Sequence, residues 1–151
     1  MTRIDFYHLQ RTPLDAVLPK LCEKAYSVGN RIKIWVDSEE RVETINNLLW
    51  TYKEDSFLPH GSKKDGFAEE QPIFISSNEK NENNADLLIL ADGVRPVTDI
   101  LATYTRVLNI FDGNDGASVQ NARIYWKEVK AADFEVHYWQ QNISGGFEQK
   151  A

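Results

Sequence analysis

Arg123, Lys127 and Lys130 stand four and three residues apart in an otherwise mixed stretch of chain. At about 100° per residue of helix they fall on one stripe. Val119, Ala122, Trp126 and Val129 fall on the adjoining stripe, so Trp126 borders both the basic ridge and an apolar face. An arginine grips a carboxylate with two parallel N–H bonds, and lysines add point charge. Beside an indole, that set suits a short peptide with acidic residues and one large apolar side chain. The competing reading of the same spacing is a solvated basic face with Trp126 packed inward, and the pattern alone leaves both open.

A second chemistry is carried by Asp37 and Asp92, each of which follows an apolar run. In open α/β sheets, ligands bind beyond the carboxyl ends of strands. Two carboxylates there could hold a divalent metal, as in a metal-dependent hydrolase or nucleotide-binding enzyme. The simpler assignment makes Asp37 a helix cap and Asp92-Gly93 a tight turn. Other catalytic signatures are missing. The chain has no G-x-G-x-x-G, no Gly-Lys-Ser/Thr and no G-x-S-x-G. His8, His60 and His137 are widely separated and lack metal-binding spacing, and Gly113-Asn114-Asp115-Gly116 and Gly145-Gly146 read as turns. No cofactor, metal or catalytic constellation is expected. A further surface is offered by Trp50, Tyr52, Phe57, Leu58 and Pro59, followed by His60. Loops carry so much apolar bulk when they cover a core or meet a partner.

Composition narrows the classes. The chain has 151 residues, 42 % hydrophobic and 26 % charged, which suits one globular domain. Seventeen basic residues face 23 acidic ones for a net charge of −6. The average field therefore repels nucleic-acid phosphates, and strong direct DNA or RNA binding is not expected, even through the aromatics. The single Cys22 excludes an internal disulfide and a Cys-based zinc site. The N-terminus lacks the order of a signal peptide, and the longest apolar run, 87–91, is far short of a membrane span. A soluble, cytoplasmic protein, monomeric on its own, is the expectation.

The elements that must position these residues follow from periodicity. Residues 4–9 read as a strand. Leu14, Val17, Leu18, Leu21, Cys22 and Ala25 mark an amphipathic helix capped at Thr12-Pro13 and stopped by Gly29. Residues 31–36 read as a second strand, and Asp37-Ser38-Glu39-Glu40 opens a second helix over Val42, Ile45 and Leu48 or Leu49. Strands follow at 72–76 and 87–91, with strand or short helix at 106–111. A helix over 115–132 and a strand over 134–139 close the order. Residues 61–70 and 78–84 read as polar surface loops, the latter mobile, and 142–151 as a polar C-terminal tail. The alternation predicts a single three-layer α/β/α domain over 1–141 with a mostly parallel central sheet and no phosphate loop.

Four segments together resemble a known family. They are Asp5-Phe6-Tyr7-His8-Leu9; Leu49-Trp50-Thr51-Tyr52 with Asp55-Ser56-Phe57-Leu58-Pro59-His60-Gly61; Phe111-Asp112-Gly113-Asn114-Asp115; and Ala122-Arg123-Ile124-Tyr125-Trp126-Lys127 through His137-Tyr138-Trp139-Gln140-Gln141. In order and spacing they are similar to the chi subunit of bacterial DNA polymerase III holoenzyme. The resemblance implies a non-catalytic accessory subunit with a nucleotide-binding-like fold that has lost its phosphate loop. It implies a surface for the acidic C-terminal tail of single-stranded DNA-binding protein, which ends in an aromatic residue with a free carboxylate. Carried onto this chain, Arg123 would hold that carboxylate, Trp126 would border the aromatic pocket, and Lys127 and Lys130 would meet the acidic residues. A second surface, matched by Trp50, Phe57, Leu58, Pro59 and His60, would join the psi subunit or another clamp-loader component. Position 133 is Asp where the family usually turns with Gly, and the loops at 61–70 and 78–84 match nothing in it.

Overall fold

The computed structural model describes residues 2–53 and 58–151. Seven strands form one sheet: β1 (Arg3–Leu9), β2 (Ile32–Trp35), β3 (Ile73–Ser76), β4 (Leu87–Leu90), β5 (Arg106–Asp112), β6 (Glu135–Gln141) and β7 (Phe147–Gln149). Their spatial order is β3-β2-β4-β5-β1-β6-β7. Every pairing is parallel except β6 with β7. The helices are α1 (Leu14–Ser27), α2 (Glu39–Thr51), α3 (Thr98–Leu101) and α4 (Gly116–Ala131).

Alternation along the strands divides the apolar side chains between two cores. Tyr7, Leu9, Ile32, Ile34, Leu87 and Ile89 pack with Val17, Leu18, Val42 and Ile45 of α1 and α2. Ile4, Phe6, Leu88, Leu90 and Val107 pack with Leu101 of α3 and Ala122, Tyr125 and Val129 of α4. The result is the expected three-layer α/β domain. Residues 106–111, ambiguous between strand and helix by pattern, lie in the strand β5, flanked by β4 and β1.

The helix ends follow local chemistry. Ser38, not Asp37, caps α2, accepting from the Arg41 N–H at 3.2 Å. Pro13 occupies the N-cap of α1, and Thr12 makes no cap there. Asp115 caps α4, accepting from the Ser118 N–H at 3.1 Å. At the other end of α4, Phe134 N–H reaches the Val129 carbonyl and Asp133 N–H reaches that of Lys130. This closure puts Asp133 at φ +65°, the left-handed position that glycine fills at no steric cost.

Two segments depart from the sequence expectation. The 78–84 loop, read as mobile, is fastened to the sheet. The Lys33 ammonium is fully buried and donates to the carbonyls of Asn78 and Lys80 and to Glu82 at 3.0 Å. Asn83 is also buried, and donates to the Ile32 carbonyl at 2.9 Å. The 142–151 segment, read as a polar tail, turns at Gly145 (φ +92°) and returns as β7 along β6.

Candidate functional site

On α4 the core-facing residues Ala122, Tyr125 and Val129 are buried, which turns Arg123 and Lys127 outward to solvent. Trp126, between the two faces, is half-buried. Its ring packs edge-on against Phe6 at 5.4 Å and Tyr138 at 5.6 Å, centroid to centroid. The Lys130 ammonium lies 5.3 Å from the Trp126 centroid, within cation–π range. A groove of about 490 Å3 runs beside this helix, bounded by Phe111, Val119, Arg123, Trp126, Lys127 and Tyr138. Three of the four residues singled out by spacing therefore line one groove, and Lys130 flanks its indole. Neither Arg123 nor Lys127 has a carboxylate partner among the described residues.

The floor of the groove has its own support. Tyr138 OH contacts His8 Nδ1, and the His8 ring lies 5.0 Å from that of Phe111. Burial pushes the His8 pKa down, and the nearby Arg123 charge lowers it further. Burial raises that of Tyr138, with Arg123 opposing. Gly113 makes room for the imidazole. A Cβ there would fall 2.0 Å from His8 ring atoms and 2.5 Å from the Leu9 carbonyl oxygen. Lys150 and Ala151 border one side. Lys150 N–H donates to the Tyr138 carbonyl at 2.8 Å and Tyr138 N–H to that of Ala151 at 3.2 Å, which brings Ala151 to the groove. The turn glycines followed by Phe147 were the available signal for this hairpin.

Asp37 and Asp92 lie in a different place. Both line a crevice beyond the carboxyl ends of the parallel strands, where the rule for open sheets puts them. Asp92 is engaged by the Arg41 guanidinium at 3.1 Å, so a cation of the chain itself stands where a metal was considered. Asp92 at φ +57° and Gly93 at φ +80° form the tight turn. No group of three or more His, Cys, Asp or Glu among the described residues could hold a metal. The first βα turn, which cradles phosphate in nucleotide-binding sheets, is internally filled. The amides of Gln10, Arg11 and Thr12 all donate to Gln141 Oε1, at 3.0, 2.7 and 3.2 Å.

In the stretch 50–60, Phe57 lies outside the described residues. Leu58 is a core residue at 1 % exposure. His60 is buried, with its ring nitrogens 2.5 Å from the Leu58 carbonyl oxygen and 3.1 Å from that of Asn46. Pro59 is half-buried. Trp50 remains 51 % exposed, its ring 4.5 Å from that of His60. Leu58 and His60 thus fasten the segment, and Trp50 presents the apolar surface.

Comparisons with known proteins give the family. The family model described as DNA polymerase III chi subunit, HolC, matches residues 1–137, which include β1 through α4 and the start of β6. The chain is similar to a protein of Rickettsia prowazekii (strain Madrid E) described as probable DNA polymerase III subunit chi. The two are 29 % identical over 117 residues, covering 74 % of this chain and 71 % of the relative. With a family match over nearly its whole length, the chain belongs to the DNA polymerase III chi subunit family.

Proposed function

We propose that this replication accessory subunit docks the acidic C-terminal tail of single-stranded DNA-binding protein in the groove beside α4. The observation that carries the reading is Arg123: an exposed guanidinium at the rim of an aromatic groove, without a carboxylate partner among the described residues. Arg123 receives the terminal carboxylate in bidentate fashion. The last aromatic side chain enters between Phe111, Trp126 and Tyr138, where edge-to-face contacts add to burial. Lys127 and Lys130 meet the acidic residues upstream, within a Debye length of the surface.

The work is equilibrium binding, not catalysis by this chain. A short-peptide site of this kind holds its ligand at about micromolar affinity, near −8 kcal/mol. The Trp50 face, with Phe57, Leu58, Pro59 and His60 in its neighbourhood, joins a psi subunit or another clamp-loader component, so the subunit links coated single strands to the polymerase complex in the cytoplasm. No helix among the described residues is long and apolar enough to cross a membrane.

The test is a titration with a fluorescent peptide copying the last nine or so residues of the host single-stranded DNA-binding protein. The expected result is micromolar binding that falls with added salt and drops at least tenfold in Arg123→Ala. The variant should keep the wild-type melting temperature, because the side chain is exposed and outside any ion pair among the described residues. Absence of binding by the folded wild-type protein would overturn the reading.

A further inference from the structure

A larger cavity lies on the other side of α4. It is an open crevice of about 900 Å3 beyond the carboxyl ends of β1, β4 and β5, and shares only Phe111 and Ala122 with the peptide groove. The volume is that of a small-molecule site. Its place has a topological cause. β1 continues into α1 on one face of the sheet, whereas its neighbour β5 continues into α4 on the other. Chains diverging from adjacent strands leave a crevice between them, the usual ligand position in open α/β sheets.

Asn109 of β5 lines this crevice. It is 5 % exposed, and its carboxamide, which bonds to no other described residue, is not among the fully buried unpaired groups, so its polar atoms open to the crevice. An amide so placed pairs with ordered water or with a ligand. Its strand neighbours in register, Phe6 and Leu90, are apolar, so nothing beside it on the sheet answers its polarity. An unpaired amide at the inner end of a cavity is a group held ready for a ligand.

The charge of that ligand follows from the walls. An anion has no cradle at the first βα turn, since the Gln141 oxygen already takes the amides of Gln10, Arg11 and Thr12. Four carboxylates, Asp15, Asp37, Asp92 and Asp112, face two guanidiniums, Arg11 and Arg41. Arg41 is held by Asp92 and lies in the field of Asp15 and Asp37, so this environment already accommodates one guanidinium from within. The surplus is two negative charges. We propose that the crevice binds a small organic cation, its guanidinium or amine among Asp15, Asp37 and Asp112 and a polar group on the Asn109 carboxamide.

Agmatine, which carries both a guanidinium and an amine, is the probe, with ATP as the anionic control at matched ionic strength. Calorimetry and amide NMR are run on the full chain. The expected result is saturable agmatine binding that shifts the Asn109 side-chain amide, and no ATP binding. Asn109→Leu should weaken agmatine at least tenfold while leaving the melting temperature near that of wild type, because the carboxamide bonds to no other described residue. Asp15→Asn with Asp37→Asn, both at exposed positions, should weaken it severalfold and serves if the Leu variant does not fold. Acidic-peptide binding should be unchanged in these variants, and Arg123→Ala should leave agmatine binding intact. No saturable binding up to about 10 mM, equal affinity in folded Asn109→Leu, or ATP binding as tight as agmatine would each overturn the proposal.

Discussion

Gln141 Oε1, at the end of β6, accepts a hydrogen bond from the backbone N–H of Arg11 at 2.7 Å, across 130 residues of sequence. The same oxygen takes the neighbouring amides of Gln10 and Thr12, and its Nε2 donates to Thr12 Oγ1 at 2.7 Å and to the Gly145 carbonyl at 3.1 Å. One carboxamide thus joins the first βα turn to the β6–β7 turn. Gln141→Ala leaves three amides of a partly buried turn to water and should cost roughly 1–3 kcal/mol. Gln141→Glu keeps the acceptor for the three amides but sets a second oxygen against the Gly145 carbonyl, so it too should cost stability in the same denaturant titration. An Ala variant as stable as wild type would contradict this.

Asp5 is fully buried on β1, held by Arg3 at 3.0 Å, Arg106 at 2.9 Å and the Trp139 indole at 2.9 Å. Burial by itself would raise its pKa, but hydrogen bonds from Arg3, Trp139 and Arg106 outweigh it and hold the carboxyl below the ordinary value. A depressed folded pKa contributes stability that is present above pH about 4 and lost as pH falls through the folded value. Asp5→Asn should cost roughly 2–3 kcal/mol at pH 6, below a fully buried pair because both arginines reach solvent. The gap between wild type and variant should narrow near pH 3, which denaturant titrations at the two pH values measure. A gap that widens with acid would contradict the assignment.

His8 couples the groove floor to its rim. Burial, then the Arg123 charge, lower its pKa from the ordinary 6.5. Stability from the neutral ring is present above about pH 6.5 and lost as pH falls through the folded value. Removing the positive charge in Arg123→Ala should move the His8 pKa upward, toward 6.5. A proton NMR titration of the imidazole checks it, and an unchanged or lower value would separate His8 from the groove.

Trp50 and Leu58 should part company on mutation. Leu58, in the core, is expected to cost about 2–5 kcal/mol as Leu58→Ala. Trp50→Ala, at an exposed position, should change stability by less than about 1 kcal/mol yet weaken capture of a clamp-loader partner. Thermal melts together with co-purification of the complex distinguish the two, and the reverse pattern would place the contact elsewhere.

The strands and helices were legible where one period dominates. The four-and-three spacing of Arg123, Lys127 and Lys130 could only make a ridge on a helix, and α4 is that helix. The alternation within β1 likewise assigns Phe6 and Tyr7 to opposite cores. What stayed hidden depends on contacts between distant residues. Nothing local says that Lys33 fastens the 78–84 loop through its backbone carbonyls, or that Arg41 takes Asp92. Polarity marks 142–151 as tail-like, whereas the surroundings of this segment are set by the β6–β7 hairpin. The expected Asp37 cap moved one residue on, to Ser38, because the strand ends at Trp35 and the helix begins at Glu39.

Docking in the α4 groove turns on Arg123 receiving a terminal carboxylate. Two peptides with the same acidic sequence, one ending in free Phe and one in Phe amide, are titrated against wild type and Arg123→Ala. If the guanidinium meets the carboxylate, amidation and the mutation each weaken binding at least tenfold, and the two together weaken it little more than either alone. If the losses instead multiply, or amidation leaves wild-type binding untouched, Arg123 does not hold the chain end and the account of this groove fails.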